Sequence, residues 1–197
     1  MLAIQEKETC LQIVKGSRFI GYAMYAANEV AVQTILEKIK LEHPKANHHC
    51  FAWRLADGRE RSSDDGEPRG SAGSPILKRL TSKNCVNTVV VVVRYFGGTK
   101  LGIGGLMRAY GGIAQELIGK ATFAAYRIWV QVSFSYAYED SRIVSSVLSQ
   151  LEHKIVKQEY AEKIQQEILV VEGQEDRVQK ALFAESRGRI TSSLLVP

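Results

Sequence analysis

The sequence predicts an α+β protein of two domains, residues 1–129 and 130–197, and three observations carry that reading. Thr88-Val-Val-Val-Val-Val93 is apolar on both faces, the pattern of a central strand covered on each side. After residue 129, strand and helix patterns follow in the order βαββαβ within about 65 residues, which is the split-βαβ, ferredoxin-like order. The charge divides at the same place. Residues 1–129 carry 18 Lys+Arg against 11 Asp+Glu, a net +7, and residues 130–197 carry 8 against 10, a net −2. No Pro/Ser linker separates the two parts, so the domains are expected to abut.

Residues 18–26 read as a first strand. Asn28 is placed to cap a following helix, with Glu29 in its first turn, apolar Val32, Ile35, Leu36 and Ile39 at helical spacing, and Pro44 beyond its end. In HHCFAWRL, His49, Phe51, Trp53 and Leu55 alternate with His48, Cys50, Ala52 and Arg54, which predicts a half-buried strand. Residues 57–75 form a long polar, glycine-rich loop, and residues 76–82 suit a short helix. The valine strand then runs through Arg94-Tyr95-Phe96 into Gly97-Gly98. A helix is expected over 104–120, with Gly111 and Gly112 inside it. Each interior glycine costs about 1 kcal/mol of helix propensity relative to alanine, which close packing on the sheet would explain.

In the second domain Val130, Val132, Phe134, Tyr136 and Tyr138 alternate as a strand. Ile143, Val144, Val147, Leu148 and Leu151 mark a helix. Residues 155–160 and 168–171 read as strands around a turn at Ala161-Glu162-Lys163. Val178, Ala181 and Leu182 mark a helix closed by Gly188, and Ile190, Leu194 and Val196 alternate in a last strand.

Composition narrows the function classes. No apolar run approaches the roughly 20 residues a bilayer span requires, and residues 1–7 lack the apolar centre of a signal peptide, so a cytoplasmic protein without a membrane partner is expected. Cys10, Cys50 and Cys85 are odd in number and widely spaced, which fits reduced thiols. The basic first domain suggests a polyanionic partner.

The sequence RYFGGTKLGIGGL follows a buried strand and opens a helix. Backbone N–H groups at a helix start can hold an anion, and Lys100 and Arg108 would add charge. By spacing, Gly105, Arg108 and Gly112 share a helix face. A tight turn with no ligand is the plainer reading. Gly97 and Gly102 have the spacing of a phosphate-binding P-loop, but Ile103-Gly104 replaces the required Lys-Ser/Thr. Met107 replaces the third glycine of a dinucleotide fingerprint, so no nucleotide cofactor is expected.

Asp64, Asp65 and Glu67 place three carboxylates within four residues, where an Asp-Gly turn could gather them. The plainer reading pairs them with Arg59, Arg61 and Arg69 at the surface. His48 and His49 point to opposite faces of their strand, so His48-His49-Cys50 is poorly arranged for zinc and no metal is expected. His48, Asp64, Asp65 and Glu67 remain as candidates for catalysis.

Three segments in this order, HHCFAWRL, SSDDGEPRGSAGSPIL and VVVVVRYFGGTKLGIGGLMRAYGG, resemble the IMPACT family, in its bacterial YigZ-type branch. The match spans about residues 15–120. The resemblance implies a first domain like domain two of ribosomal protein S-five and a second like the C-terminal domain of elongation factor G. Related first-domain folds occur in RNA-contacting translation proteins, and eukaryotic IMPACT proteins are linked to translational control. The expected function is therefore a translation-associated RNA or ribosome binder. Its proposed surface comprises Arg61, Arg69, Arg94, Lys100 and Arg108 with Gly97, Gly98, Gly102, Gly104 and Gly105. Two other readings stay open: an enzyme acting on an anionic or phosphorylated small molecule at the glycine turn and acidic loop, and a protein-interaction module in translational control.

Overall fold

The valine run is the middle of a five-stranded antiparallel sheet in the first of two units, residues 1–126; the second unit begins at Arg127. The computed structural model describes residues 1–195. In chain order the first unit holds β1 (Leu2–Ile4), β2 (Glu8–Val14), β3 (Ser17–Tyr25), α1 (Glu29–Glu42), β4 (His48–Arg54), β5 (Glu60–Ser63), α2 (Gly73–Ser82), β6 (Thr88–Tyr95), α3 (Ile103–Lys120) and β7 (Phe123–Ala125). The large sheet is ordered β2-β3-β6-β4-β5, and β1 pairs separately with β7.

Successive side chains on a strand point to opposite faces, so the valines of β6 serve two cores. Val90 and Val92 pack with Ile76 and Leu80 of α2 and Ile113 and Leu117 of α3. Val89, Val91 and Val93 pack with Val32, Leu36 and Ile39 of α1. Each fully buried valine contributes about 1.5–3 kcal/mol by leaving water. The α1 start is as the sequence predicts: the Asn28 side chain accepts the Ala31 N–H at 2.9 Å, and Glu29 sits in the first turn.

Several expectations are corrected. The strand expected at 18–26 is the third, preceded by β1 and β2. The HHCFAWRL strand is covered on both faces, because Cys50 and Ala52 join the α2/α3 core while Trp53 and Leu55 join the α1 core. The 57–75 loop contains β5, and its second half is buried at Glu67, Ser71, Ala72 and Gly73. Gly112 is not the close-packed glycine. A Cβ there would meet only Gln12 Oε1 at 3.9 Å, whereas a Cβ on Gly21 of β3 would come within 2.4 Å of Ile113 Cγ2 and 2.9 Å of Leu117 Cδ1. The close approach of α3 to the sheet is permitted from the strand side.

The second unit holds β8 (Trp129–Tyr136), α4 (Ser141–Ser149), β9 (His153–Tyr160), β10 (Ile164–Val171), α5 (Glu175–Glu185) and β11 (Ser192–Leu195). Its sheet is ordered β11-β8-β10-β9 and is antiparallel throughout, as the ferredoxin-like arrangement requires. Val132, Phe134, Ile168 and Val170 face Val144, Val147, Val178 and Leu182 of the two helices. Tyr138 leaves the strand for a 3-10 turn, Ile190 is buried ahead of β11, and Val196 lies outside the described residues. In β9, Val156 is an extra residue: Ile155 pairs with Ile168 and Lys157 with Glu167, which makes a β-bulge. Among the described residues no helix is long and apolar enough to cross a membrane.

Candidate functional site

The acidic loop, the end of β6 and the middle of α3 converge on one buried carboxylate. Antiparallel register sets His48 opposite Arg94. Arg94 Nη1 donates to Glu67 Oε1 at 2.7 Å, and Tyr110 Oη donates to the same oxygen at 2.7 Å. Arg94 Nη2 donates to Ser17 Oγ at 3.3 Å, and that hydroxyl also receives the Gly97 N–H at 3.2 Å. Arg94 and Glu67 are 5% and 8% exposed, so water screens this pair poorly. Burial pushes the Tyr110 phenol well above its ordinary value, so it stays a neutral donor.

The loop is held by its own acids. Asp64 accepts the N–H groups of Gly70, Ala72 and Gly73 at 2.7, 2.9 and 2.9 Å, which closes the loop onto the start of α2. Burial alone would raise its pKa, but these N–H donors outweigh burial and hold the carboxyl below the usual range. Asp65, at φ 42°, accepts the His49 N–H at 2.6 Å, and its carbonyl receives His48 Nδ1 at 2.7 Å. Cys50 Sγ lies 3.0 Å from the Asp64 carbonyl, and burial pushes its thiol up to about 12. The expected surface pairing of these acids with Arg59, Arg61 and Arg69 is therefore corrected: Arg59 pairs with Asp57 and Glu29, and the loop acids take backbone N–H groups or buried partners.

Of the catalytic candidates, His48 Nε2 stands 3.9 Å from Glu67 Oε1, while Asp64 and Asp65 are occupied in holding the loop. Among the described residues no group of three His, Cys, Asp or Glu side chains could hold a metal.

Arg94, expected as a surface cation, is an interior one. Its guanidinium lies 5.4 Å from the Phe19 ring centroid and 5.5 Å from that of Phe96. Arg61 is exposed on β5, an edge strand, and Arg69 is exposed in the loop. Around the glycine turn, a Cβ on Gly97 would lie 1.9 Å from the Gly16 carbonyl carbon, so the two turns touch backbone to backbone and residue 97 must be glycine. Gly98 and Gly102 adopt φ 84° and 71°, and Gly102 caps α3. Gly104 and Gly105 lie in the first turn of α3; a Cβ on Gly104 would meet the Arg108 guanidinium at 3.5 Å, and one on Gly105 would meet Leu101 Cβ at 3.1 Å.

This backbone contact gathers cations that the sequence leaves scattered. Lys15 precedes Gly16, and Arg18 sits opposite Tyr95 with its guanidinium 5.7 Å from that ring centroid. Lys15 and Arg108 line a groove of about 220 Å³ with Gln12, Leu101 and Gly105, and Lys100 follows on the turn. Lys15, Arg18, Lys100 and Arg108 are all exposed. Motif reading misses Lys15, Ser17 and Arg18 because Lys15 sits in the two-residue turn after β2 and Ser17 and Arg18 open β3, far in sequence from the glycine turn.

Apart from Gln12, these residues fall within residues 15–118, which match the family model described as the Impact N-terminal domain. The chain belongs to the IMPACT family. Similar family members include YigZ of Escherichia coli, 34% identical over 157 residues covering 77% of this chain and 76% of that protein. A Haemophilus influenzae family member is 33% identical over 190 residues, covering 92% and 90% of the two chains. A crystal structure of a hypothetical protein superposes with a TM-score of 0.68 at 29% identity, covering 100% of this chain and 97% of the other.

Proposed function

We propose that this chain is a translation-associated protein that binds RNA, free or in the ribosome, on the basic rim around the glycine turn. The observation that carries the reading is the rim itself: Lys15, Arg18, Lys100 and Arg108 are exposed and take no ion pair among the described residues. Two acids of the neighbouring networks are already paired, Glu67 with Arg94 and Glu116 with Lys120. Such a rim attracts phosphates and favours no base sequence, because a phosphate contact positions without specifying. Family membership supplies the setting, since the resemblance noted above ties eukaryotic IMPACT proteins to translational control.

Binding measured against salt tests this reading. Four phosphates neutralised on single-stranded RNA give a log–log slope of about −3, a loss of about fiftyfold between about 50 and 200 mM salt. The Lys100→Ala/Arg108→Ala pair should halve the slope and weaken all sequences alike. A parent slope near zero overturns the proposal. Co-sedimentation with ribosomes at the same two salt concentrations then separates free RNA from ribosomal RNA as the partner.

A further inference from the structure

We infer that Phe96 is a stacking platform for an unpaired base, so that the RNA held at the rim is single-stranded. This rests on the function proposed above and names the kind of RNA. Three aromatic side chains lie beside the rim cations in sequence, and the structure separates them. Tyr110 is fully buried and bonded to Glu67. The Tyr95 hydroxyl is bonded to His43 Nδ1 at 3.0 Å, and the Arg18 guanidinium covers its ring. Phe96 alone of the three is open to solvent, at 47% exposure.

The backbone that carries Phe96 is held. Its N–H donates to Asn47 Oδ1 at 2.8 Å, and the next residue, Gly97, is pinned by Ser17 and by the Gly16 backbone. The Arg94 guanidinium beneath it is itself fixed by Glu67 and Ser17. The ring lies against a buried cation and is about half exposed to solvent. A ring so placed gives an unstacked base a flat partner at little ordering cost, and the cation below it strengthens the stack. Lys100 lies four positions on in the same turn, so a phosphate flanking that base meets positive charge, while Arg18, whose guanidinium covers the Tyr95 ring, serves the other face of the sheet. A duplex keeps its bases stacked on one another and offers none to the ring. Ile103 and Met107 are also exposed at the start of α3, which would suit an apolar protein partner; the cations around Phe96 favour the nucleic acid.

Fluorescence anisotropy with three probes tests the inference: a single-stranded RNA of about ten nucleotides, its duplex, and inorganic polyphosphate, which has charge without bases. Phe96→Ala should weaken the single strand on the order of tenfold, leave polyphosphate and the salt slope unchanged, and bring single strand and duplex closer together. Phe96→Trp should retain the affinity, and its added fluorescence, measured against the parent, should be quenched by the single strand. Phe96→Leu keeps an apolar side chain without a ring and should behave as the alanine variant. If Phe96→Ala binds the single strand as the parent does, the platform is overturned and the basic rim stands. If Phe96→Leu binds as the parent does, the contact is apolar without a ring and stacking is overturned. If the parent binds no probe in a salt-dependent way, the proposed function falls and the platform falls with it.

Discussion

Tyr110 and Glu67 stand 43 positions apart in sequence, yet the phenol donates to the carboxylate at 2.7 Å inside the core. The same oxygen takes Arg94, so one atom ties α3, β6 and the acidic loop together. Removing one member of a buried pair leaves an uncompensated charge, so Glu67→Ala should cost about 3–5 kcal/mol. The double variant Glu67→Leu/Arg94→Met leaves no charge behind and should recover much of that loss. Urea unfolding followed by circular dichroism measures both; a single-variant loss under about 1 kcal/mol, the size of an exposed pair, would show that the network is slack.

The acid limb of stability should depend on Asp64. Its folded pKa lies below the ordinary value of 3.8, so its contribution is complete above that value and is lost as pH falls through the folded pKa. Asp64→Asn retains an acceptor for part of the N–H set but carries no charge. Unfolding midpoints measured from about pH 3 to pH 7 should therefore fall less steeply below about pH 4 in the variant. Parallel curves would assign the acid sensitivity elsewhere.

Glycine substitutions should sort by what a Cβ meets. Gly21→Ala forces Ile113 or Leu117 aside and should cost about 1–3 kcal/mol. Gly112→Ala meets no close neighbour in α3 and should be neutral or stabilise by up to about 1 kcal/mol through helix propensity. Thermal unfolding of the two variants settles the order; the reverse order would mean that the α3 contact lies on the other side.

The three cysteines should resist alkylation while the chain is folded. Burial raises Cys10 and Cys85 to about 11 and Cys50 to about 12, and the thiolate is the reactive form. Iodoacetamide at about pH 8 should label none of them in native buffer and all three in denaturant, read by mass spectrometry. Rapid native labelling of Cys50 would mean that the loop carrying Asp64 opens on its own.

What could be read from the sequence was local. The valine strand, the Asn28 cap and the βαββαβ order each depend on residues a few positions apart, and each is present. The short β1 and β7 escaped because three residues set no period, and β2 escaped because Leu11 and Ile13 are exposed at the sheet edge. The burial of Glu67 was hidden for a different reason. Its partners lie 27 and 43 positions away, so a polar segment that reads as solvated becomes interior only after β6 and α3 are in place. The rim cations were half legible: Lys100 and Arg108 stand beside the glycines in sequence, whereas Lys15 and Arg18 arrive through the Gly16–Gly97 contact.

The extra residue in β9 bears on how the protein behaves when crowded with copies of itself. β9 is the outer strand of its sheet and exposes Ile155, Val156 and Tyr160, the combination that invites a neighbouring chain to add a strand. The bulge at Val156 breaks the even spacing of free N–H and C=O groups that an incoming strand would have to match, and the charged side chains of Lys154 and the Lys157–Glu159 pair flank it. An irregular border lined with charged side chains ends the sheet at four strands instead of letting it propagate into a fibre.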